Sequence, residues 1–507
     1  MLRHLASQFT RFILAGLLSS ASLALAASLS VSPSVGPPTT KTTATGSGFS
    51  AGETVALAFD SASLGSATAD GVGNFTVALT VPKSAQPGAH TVQSTGQTSG
   101  LVASATFTAQ TNWPSFKNGR SLVGVNAFEN TINKSNAKFL TLAWQGILGD
   151  LVDFSSPAIV NGVAYVGSFD GKLYAFNANG CSQQFCQPLW TGKTGNDITS
   201  SPAVANGVVY IGSADRNLYA FNANGCGKAS CTPLWRGKVG NGIIESSALV
   251  ANGVVYIGAY DGKLYAFAAA GCGTASCSPL WTGTAGGRIT SSPAFSNGVI
   301  YVGSEEGKLN AFSATGCGNS NCTPLWTGNA GTAIFTSSPA VANGVVYLGS
   351  FDGNLYAFDA TGCGQSSCDA LWKGHTSGII EGSPSVANGL VYIGSDDLLE
   401  VFSAAGCGND TCTPLWQGIA TGSQAAIVSA PTIANGLVYV SENNGMVMVF
   451  NAGGCGKSLC SPLTQLLTLN EPIVSSSPTV VNGAVYVGSA DQLSAPIGRL
   501  YVYKLSN

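Results

Sequence analysis

The sequence predicts an all-β protein, an eight-bladed β-propeller preceded by a small β-sandwich. Two observations predict the propeller. A unit of 45 to 47 residues recurs along 112–507, marked by a Ser-Ser-Pro element or a close variant at Pro157, Pro202, Pro293, Pro339, Pro384, Pro431 and Pro478, with Ala248 standing in once. Each unit carries runs such as VVYIG and KLYAF, β-branched and aromatic, joined by Asp-Gly or similar turns, which is hairpin chemistry repeated at the period of a four-stranded blade. A third observation sets the N-terminal module apart: 28–110 lacks the repeat and reads as roughly seven strands between Gly, Pro and Asp turns.

Taken in chain order, residues 1–27 read as a secretory signal peptide. Arg3 and Arg11 precede the apolar stretch FILAGLLSSASLALA, which ends in Ala24-Leu25-Ala26 and is too short to span a bilayer comfortably. No cysteine precedes Cys181, so a lipid-anchoring cysteine at the cleavage site is not expected. The sandwich follows over 28–110, and the propeller runs over 112–507. The segment 140–146, LTLAWQG, precedes the first Ser-Ser-Pro and has the character of a lone outer strand, with Trp144 matching Trp190. The last unit, LYVYKLSN, runs only to its third strand, so 140–146 is expected to complete that blade and close the ring. Counting the tyrosines at Tyr165, Tyr210, Tyr256, Tyr301, Tyr347, Tyr392, Tyr439 and Tyr486 gives eight blades.

All fourteen cysteines fall in seven C-x4-C pairs, one per unit: Cys181 with Cys186, Cys226 with Cys231, Cys272 with Cys277, Cys317 with Cys322, Cys363 with Cys368, Cys407 with Cys412, and Cys455 with Cys460. Metal ligation would need four ligands converging, and a redox pair would more typically be C-x-x-C. An exported chain with an even cysteine count at fixed local spacing points instead to disulfides, each closing the loop between third and fourth strands. Seven tryptophans, Trp144, Trp190, Trp235, Trp281, Trp326, Trp372 and Trp416, share the outer-strand position and are expected to pack between blades.

Composition excludes some classes of partner. Only 9% of residues are charged, the net charge is −3, and the 21 Lys plus Arg form no basic stripe, which argues against nucleic acid. No membrane span is expected after signal cleavage.

The stretch SSPAVANGVVYLGSFDG followed by YAFDATG and LW resembles the repeat of the pyrroloquinoline-quinone-like propellers, a superfamily of quinoprotein alcohol dehydrogenases and of the propeller lipoprotein of outer-membrane β-barrel assembly. The lead-in NWPSFKNGRSLVGVNAFENTI, with Trp113, is similar to that family's as well. GSGFSAGETV and QPGAHTV resemble bacterial immunoglobulin-like domains of the IPT/TIG sort. The dehydrogenase side of the resemblance implies a quinone on the channel axis above a Trp, Ca²⁺ held by acidic and amide side chains, an Asp base and often adjacent cysteines. This chain has no Cys-Cys pair, no unassigned Trp beyond Trp113, and no unit longer than 47 residues to build such a site.

Other chemistry is thin. His375 is the one histidine in 112–507, and Asp170, Asp261 and Asp352 suit hairpin turns. Three residues before each Pro or its equivalent lie Phe154, Thr199, Glu245, Thr290, Thr336, Glu381, Val428 and Ser475. Glu245 and Glu381 are the charged members. With Asp153, Asp197 and Arg288 nearby, they form the candidate ligand-binding set at the channel mouth, either solvated carboxylates or a small polar or cation-binding funnel. The loops TGKTGND, RGKVGNG, TGTAGGR, KGHTSGI and QGIATGSQAA on that rim vary, which is where specificity is carried on a rigid scaffold. The reading is a secreted, monomeric, non-catalytic binding or scaffolding protein at the cell surface or beyond, with the periplasm as alternative. Its expected partner is an extracellular protein or a cell-surface glycan, with no cofactor and no metal. The alternative is a quinone- and calcium-dependent dehydrogenase; a glycosidase or lyase using Glu245 and Glu381 is weaker.

Overall fold

The computed structural model describes residues 26–420, 426–468, 476–491 and 497–506. The expected signal peptide, apart from Ala26 and Ala27, lies outside them, as do Ser475 and part of the loop QGIATGSQAA. The chain is all-β and forms two compact units, 26–82 with 89–108, and 83–88 with 109–506.

The smaller unit has eight strands where the sequence suggests seven; the additional one is the two-residue Val35–Gly36. They form a three-stranded and a five-stranded sheet. Lys41–Ser47 and Thr54–Phe59 alternate outward and inward residues, as strands with one buried face do. Glu53 is 5% exposed. Its carboxylate accepts the N–H groups of Ser50, Thr98 and Ser99 and the Ser99 hydroxyl. The Ser99 N–H leads in pulling its pKa down to about 2.

The larger unit is a propeller-like repeat fold. Among the described residues it holds eight five-stranded sheets. Sheet one shows the pattern: Ala158–Val160, Val163–Ser168, Lys172–Asn177 and Trp190–Lys193 pair antiparallel in order. Its middle strands are buried on both faces, which is why VAYVGS and KLYAFN read as nearly continuous apolar runs. The innermost strands touch in sequence order, and that of the eighth sheet, Thr479–Val481, touches Ala158–Val160. The eighth sheet takes its outer strand from the start of the unit: Leu140–Ile147 pairs with Ile497–Leu505.

The Ser-Ser-Pro element has a bonding role on each side. The first serine bonds within its own sheet; Ser291 Oγ, for example, accepts the Gly303 N–H at 3.0 Å. The second bonds across to the neighbour. Ser156 N–H donates to Ser201 Oγ, Ser201 to Ser247, Ser247 to Ser292, Ser292 to Ser338 and Ser338 to Ser383. After a gap at Ala430, which has no hydroxyl, Ala430 N–H donates to Ser477 and Ser477 N–H to Ser156, joining last sheet to first.

All seven C-x4-C pairs are disulfides, and among the described residues no cysteine is free. Their loops do more than close hairpins. Each second cysteine sits in a two-residue strand that pairs parallel with the outer strand of the preceding sheet, as Ser230–Cys231 does with Thr191 and Gly192. The bonded loop is thus the fifth strand of its neighbour. Beneath it packs the neighbour's tryptophan. Gly225, just before Cys226, has φ of +74°, and a Cβ there would lie 2.7 Å from Trp190 Cδ1, so only glycine fits. Above, Tyr165 Oη donates to Ala223 O at 2.8 Å. Tyr165, Trp190, Phe221 and Cys231 share one buried cluster spanning sheets one and two. The same arrangement recurs at every interface but one.

That one lies between sheets seven and eight. Thr464 stands where the tryptophan would be, and no cysteine strand pairs with Thr464–Leu467. Tyr439 Oη has no partner among the described residues. The gap is closed by packing instead: Ile132, Ala137, Leu140, Tyr439, Leu466 and Tyr503 are buried together, and Tyr503 Oη donates to Leu467 O at 2.7 Å.

Candidate functional site

Asn-Gly turns and disulfide loops lie at one end of the ring, and the segment 113–126 crosses that end. It is bonded to every sheet in turn. Trp113 N–H donates to Ile159 O, and Pro114, Arg120, Ser121, Val123 and Gly124 carbonyls accept the N–H groups of Val204, Phe295, Val341, Val386 and Ile433. Arg120 reaches Asn252 at 3.4 Å and Asn126 reaches Val480 O at 2.9 Å, completing the eight. Lys117 is buried within this segment, its ammonium held by Pro384 O, and burial pushes its pKa well down. The sequence carries no period for this segment because it meets each sheet through only a bond or two.

Above the segment lies a small cavity of about 30 Å³, partly open to solvent, with Phe116 in its lining. Ser247, Ser292, Ser338, Ser383 and Ser477 line it, each at least 95% buried. Glu245 and Glu381, half-buried, line it as well. Phe154 and Glu245 sit at φ of +59° and +66°. Ser155 N–H bonds to Asp153 O and Ser246 N–H to Ile244 O, both at 2.7 Å, so each is the centre of a γ-turn. Such left-handed positions cost about 1–3 kcal/mol each and hold the Glu245 side chain in a fixed direction.

The electrostatics follow from burial without a matching cation. Burial first, then the Glu305 and Glu381 charges, push Glu245 up to about 7. Asp153 is also pushed up to about 7, by burial and then by Glu245, and its Oδ1 is buried with no partner. Glu381 is raised by burial and then Asp396. Arg288 stands at the rim, its side chain 60% exposed, 3.8 Å from Glu305 and 5.1 Å from the Tyr260 ring centre.

The structure therefore brings Asp153, Glu245 and Glu381 within electrostatic reach, and places Arg288 beside Glu305. Asp197 takes part through its backbone, its carbonyl accepting the Ala214 N–H. Sequence reasoning missed Glu305, Tyr260 and Phe116. Glu305 had a signal, since its unit reads SEEG where three others carry an aromatic residue at that place, in SFDG twice and AYDG once. His375 Nδ1 lies 3.4 Å from Asn354 on an outer strand, away from these groups. Among the described residues no three His, Cys, Asp or Glu side chains converge as a metal site, and no helix is long and apolar enough to cross a membrane.

No tryptophan lines the cavity: the seven outer-strand tryptophans and Trp113 are all buried elsewhere in the ring. The carboxylates of Glu245, Glu381 and Asp153 would repel a polycarboxylate cofactor, and the nearest guanidinium is engaged at the rim.

Comparison with known proteins agrees with the architecture. No curated protein matches the sequence. By structure the chain is similar to BamB from Moraxella catarrhalis, at 17% identity and a TM-score of 0.53, covering 73% of this chain and 98% of that one. It is similar to the computationally designed Ika8 protein, at 15% identity and 0.53, covering 70% and 98%. It is also similar to the quinohemoprotein alcohol dehydrogenase of Comamonas testosteroni, at 15% identity and 0.58, covering 77% and 80%. These likenesses establish a fold that serves both an assembly factor and enzymes, so they do not choose between the two. The family model for outer membrane protein assembly factor BamB matches residues 102–232 and 187–406, more than half of the chain, and the chain belongs to that family.

Proposed function

We propose that the eight sheets are the blades of a closed propeller, that residues 28–110 are an immunoglobulin-like module, and that the chain acts outside the cytoplasm as a non-catalytic binding or scaffolding platform. The observation that carries this reading is the cavity itself. It has the crossing segment beneath it and is walled by serine hydroxyls and un-neutralised carboxylates, and its lining holds neither a tryptophan nor a histidine. Seven disulfides suit an oxidising compartment, either the periplasm or the cell exterior. The partner is an extracytoplasmic protein or a surface glycan that meets the open rim, where the loops differ from sheet to sheet. Membership of an assembly-factor family favours a protein.

The test pairs two measurements on the oxidised, full-length mature protein. Melting temperature should not rise with pyrroloquinoline quinone plus Ca²⁺ at concentrations that stabilise a control quinoprotein, while in-cell crosslinking through the open rim should trap a discrete partner. A saturable rise accompanied by dye-linked alcohol oxidation would sink the platform reading in favour of a dehydrogenase.

A further inference from the structure

We propose that the outer strand of sheet seven, Thr464–Leu467, is where two copies of this chain pair, edge to edge about a two-fold axis. The inference goes beyond the platform reading, does not rest on it, and replaces the monomer expected from the sequence.

The edge is open. At the other seven sheets the residue after the outer-strand tryptophan turns its N–H outward to the cysteine loop of the next unit around the ring. Thr191 donates in this way to Ala229 O at 2.8 Å, and Thr282 to Ser320 O at 2.9 Å. Gln465 holds the same register, opposite Met448 as Thr191 is opposite Tyr174. Its N–H has no partner among the described residues, and Thr464–Leu467 ends its sheet with no fifth strand outside it. The 3-10 turn Ala137–Phe139 lies beside the strand but exchanges no hydrogen bond with it.

Nothing blunts this edge. Exposed edges are ordinarily protected by charge, by proline or by a bulge. In the smaller unit the edge strand Ala62–Thr68 has such a bulge in its pairing with Thr54–Phe59. The run TQLL carries no charge and no proline, and its ladder to Met446–Asn451 has no register shift. Leu463 and Leu467 are each 44% exposed, and Phe139 is 54% exposed.

Symmetry names the cover. Leu463, Gln465 and Leu467 are exposed and alternate with Thr464 and the buried Leu466. The pattern Leu-x-Gln-x-Leu reads the same in both directions. When two such strands meet antiparallel about Gln465, each Gln465 N–H meets the other's carbonyl and the two carboxamides face each other. Each Leu463 then lies against the other copy's Leu467. One patch serves both copies, as a two-fold interface requires. A four-residue strand and one neighbouring ring bury less than the roughly 1,200–2,000 Å² of a stable complex, so the pairing is weak and concentration-dependent.

Sedimentation equilibrium of the oxidised, full-length mature protein tests this. A monomer–dimer equilibrium with a dissociation constant on the order of 10–100 μM is expected. Two variants should each raise that constant at least about tenfold with little change in melting temperature. Gln465→Pro removes only an unpartnered N–H, and Leu463→Lys/Leu467→Lys places like charges on both copies. The register has its own readout. A short thiol crosslinker should join two copies of Gln465→Cys. In a mixture it should join Leu463→Cys to Leu467→Cys, but neither of these to itself. A chain that stays monomeric up to several-fold above about 100 μM would overturn the inference. So would a dimer that both variants leave intact, or Leu463→Cys linking to itself in preference to the mixed pair.

Discussion

Seven of the eight sheet-to-sheet interfaces are clasped, and the interface between sheets seven and eight is not. At a clasped interface a tryptophan lies under a glycine, a disulfide loop supplies a parallel fifth strand, and a tyrosine hydroxyl bonds a carbonyl across the gap. At the other, Thr464, an outer strand with no fifth strand beside it, and an unpartnered Tyr439 stand in their places. All three features vanish together because all three depend on one loop. The eighth sheet receives its outer strand from Leu140–Ile147, so no Gly-Cys loop leads into that strand to reach back over sheet seven. The difference teaches that the Trp and the C-x4-C pair form one device shared by two units.

The largest break in this comparison should come from the tryptophan. Trp281→Ala should cost about 3–5 kcal/mol by denaturant titration, whereas Thr464→Ala at the equivalent position should cost under about 1 kcal/mol. Equal costs would show that the two interfaces are energetically alike. Removing one disulfide, as Cys272→Ser with Cys277→Ser, should cost about 2 kcal/mol, since the closed loop is short. Hydrogen exchange sharpens the same point: amides of Thr464–Leu467 should exchange ahead of those of Trp281–Thr284 in the oxidised protein, and reduction should narrow the gap. Smaller again is the hydroxyl. Tyr256→Phe should cost about 1 kcal/mol through its lost bond to Ala314 O, and Tyr439→Phe close to nothing.

The mildest effect is one of direction. Unfolded, Glu245 is ionised above its ordinary 4.5, while in the folded protein it and Asp153 hold protons up to about 7. Between those values the folded state binds more protons, so their contribution stabilises the fold at low pH and is lost as pH rises through 7. Melting temperature should therefore fall between pH 6 and 8 in the wild type and fall less in Glu245→Gln. A rise over that interval in both proteins would contradict the burial of these groups.

Much of this was legible beforehand. The 45- to 47-residue period, the runs VVYIG and KLYAF and the seven cysteine pairs are strong signals because sheet after sheet repeats them. Even the odd interface was written in the sequence, as PLT at 462–464 where the other units read PLW, ALW at 370–372 or, in the first position, LAW. What escaped reading has a physical reason. A two-residue strand such as Ser276–Cys277 has no periodicity to detect, and its partner lies in the neighbouring unit. The segment 113–126 is held by a bond or two to each of eight different sheets, with only Val125–Asn126 forming a strand. At the mouth, Glu245 and Glu381 stood out as charges among neutral equivalents, whereas the neighbours that act on them electrostatically, Glu305 and Asp396, lie in other units at no fixed sequence offset and so gave no pattern to read.

The pairing of Leu140–Ile147 with Ile497–Leu505 also dictates an order of events. The first of these strands is synthesised before any of the eight inner strands and the second after nearly all of them. Until the later strand emerges, Leu140–Ile147 waits with the edge it will give to that strand open. Loss of Ile497–Leu505 would therefore be felt at two places in the sequence, in the eighth sheet's own strands and in Leu140–Ile147, more than three hundred residues upstream.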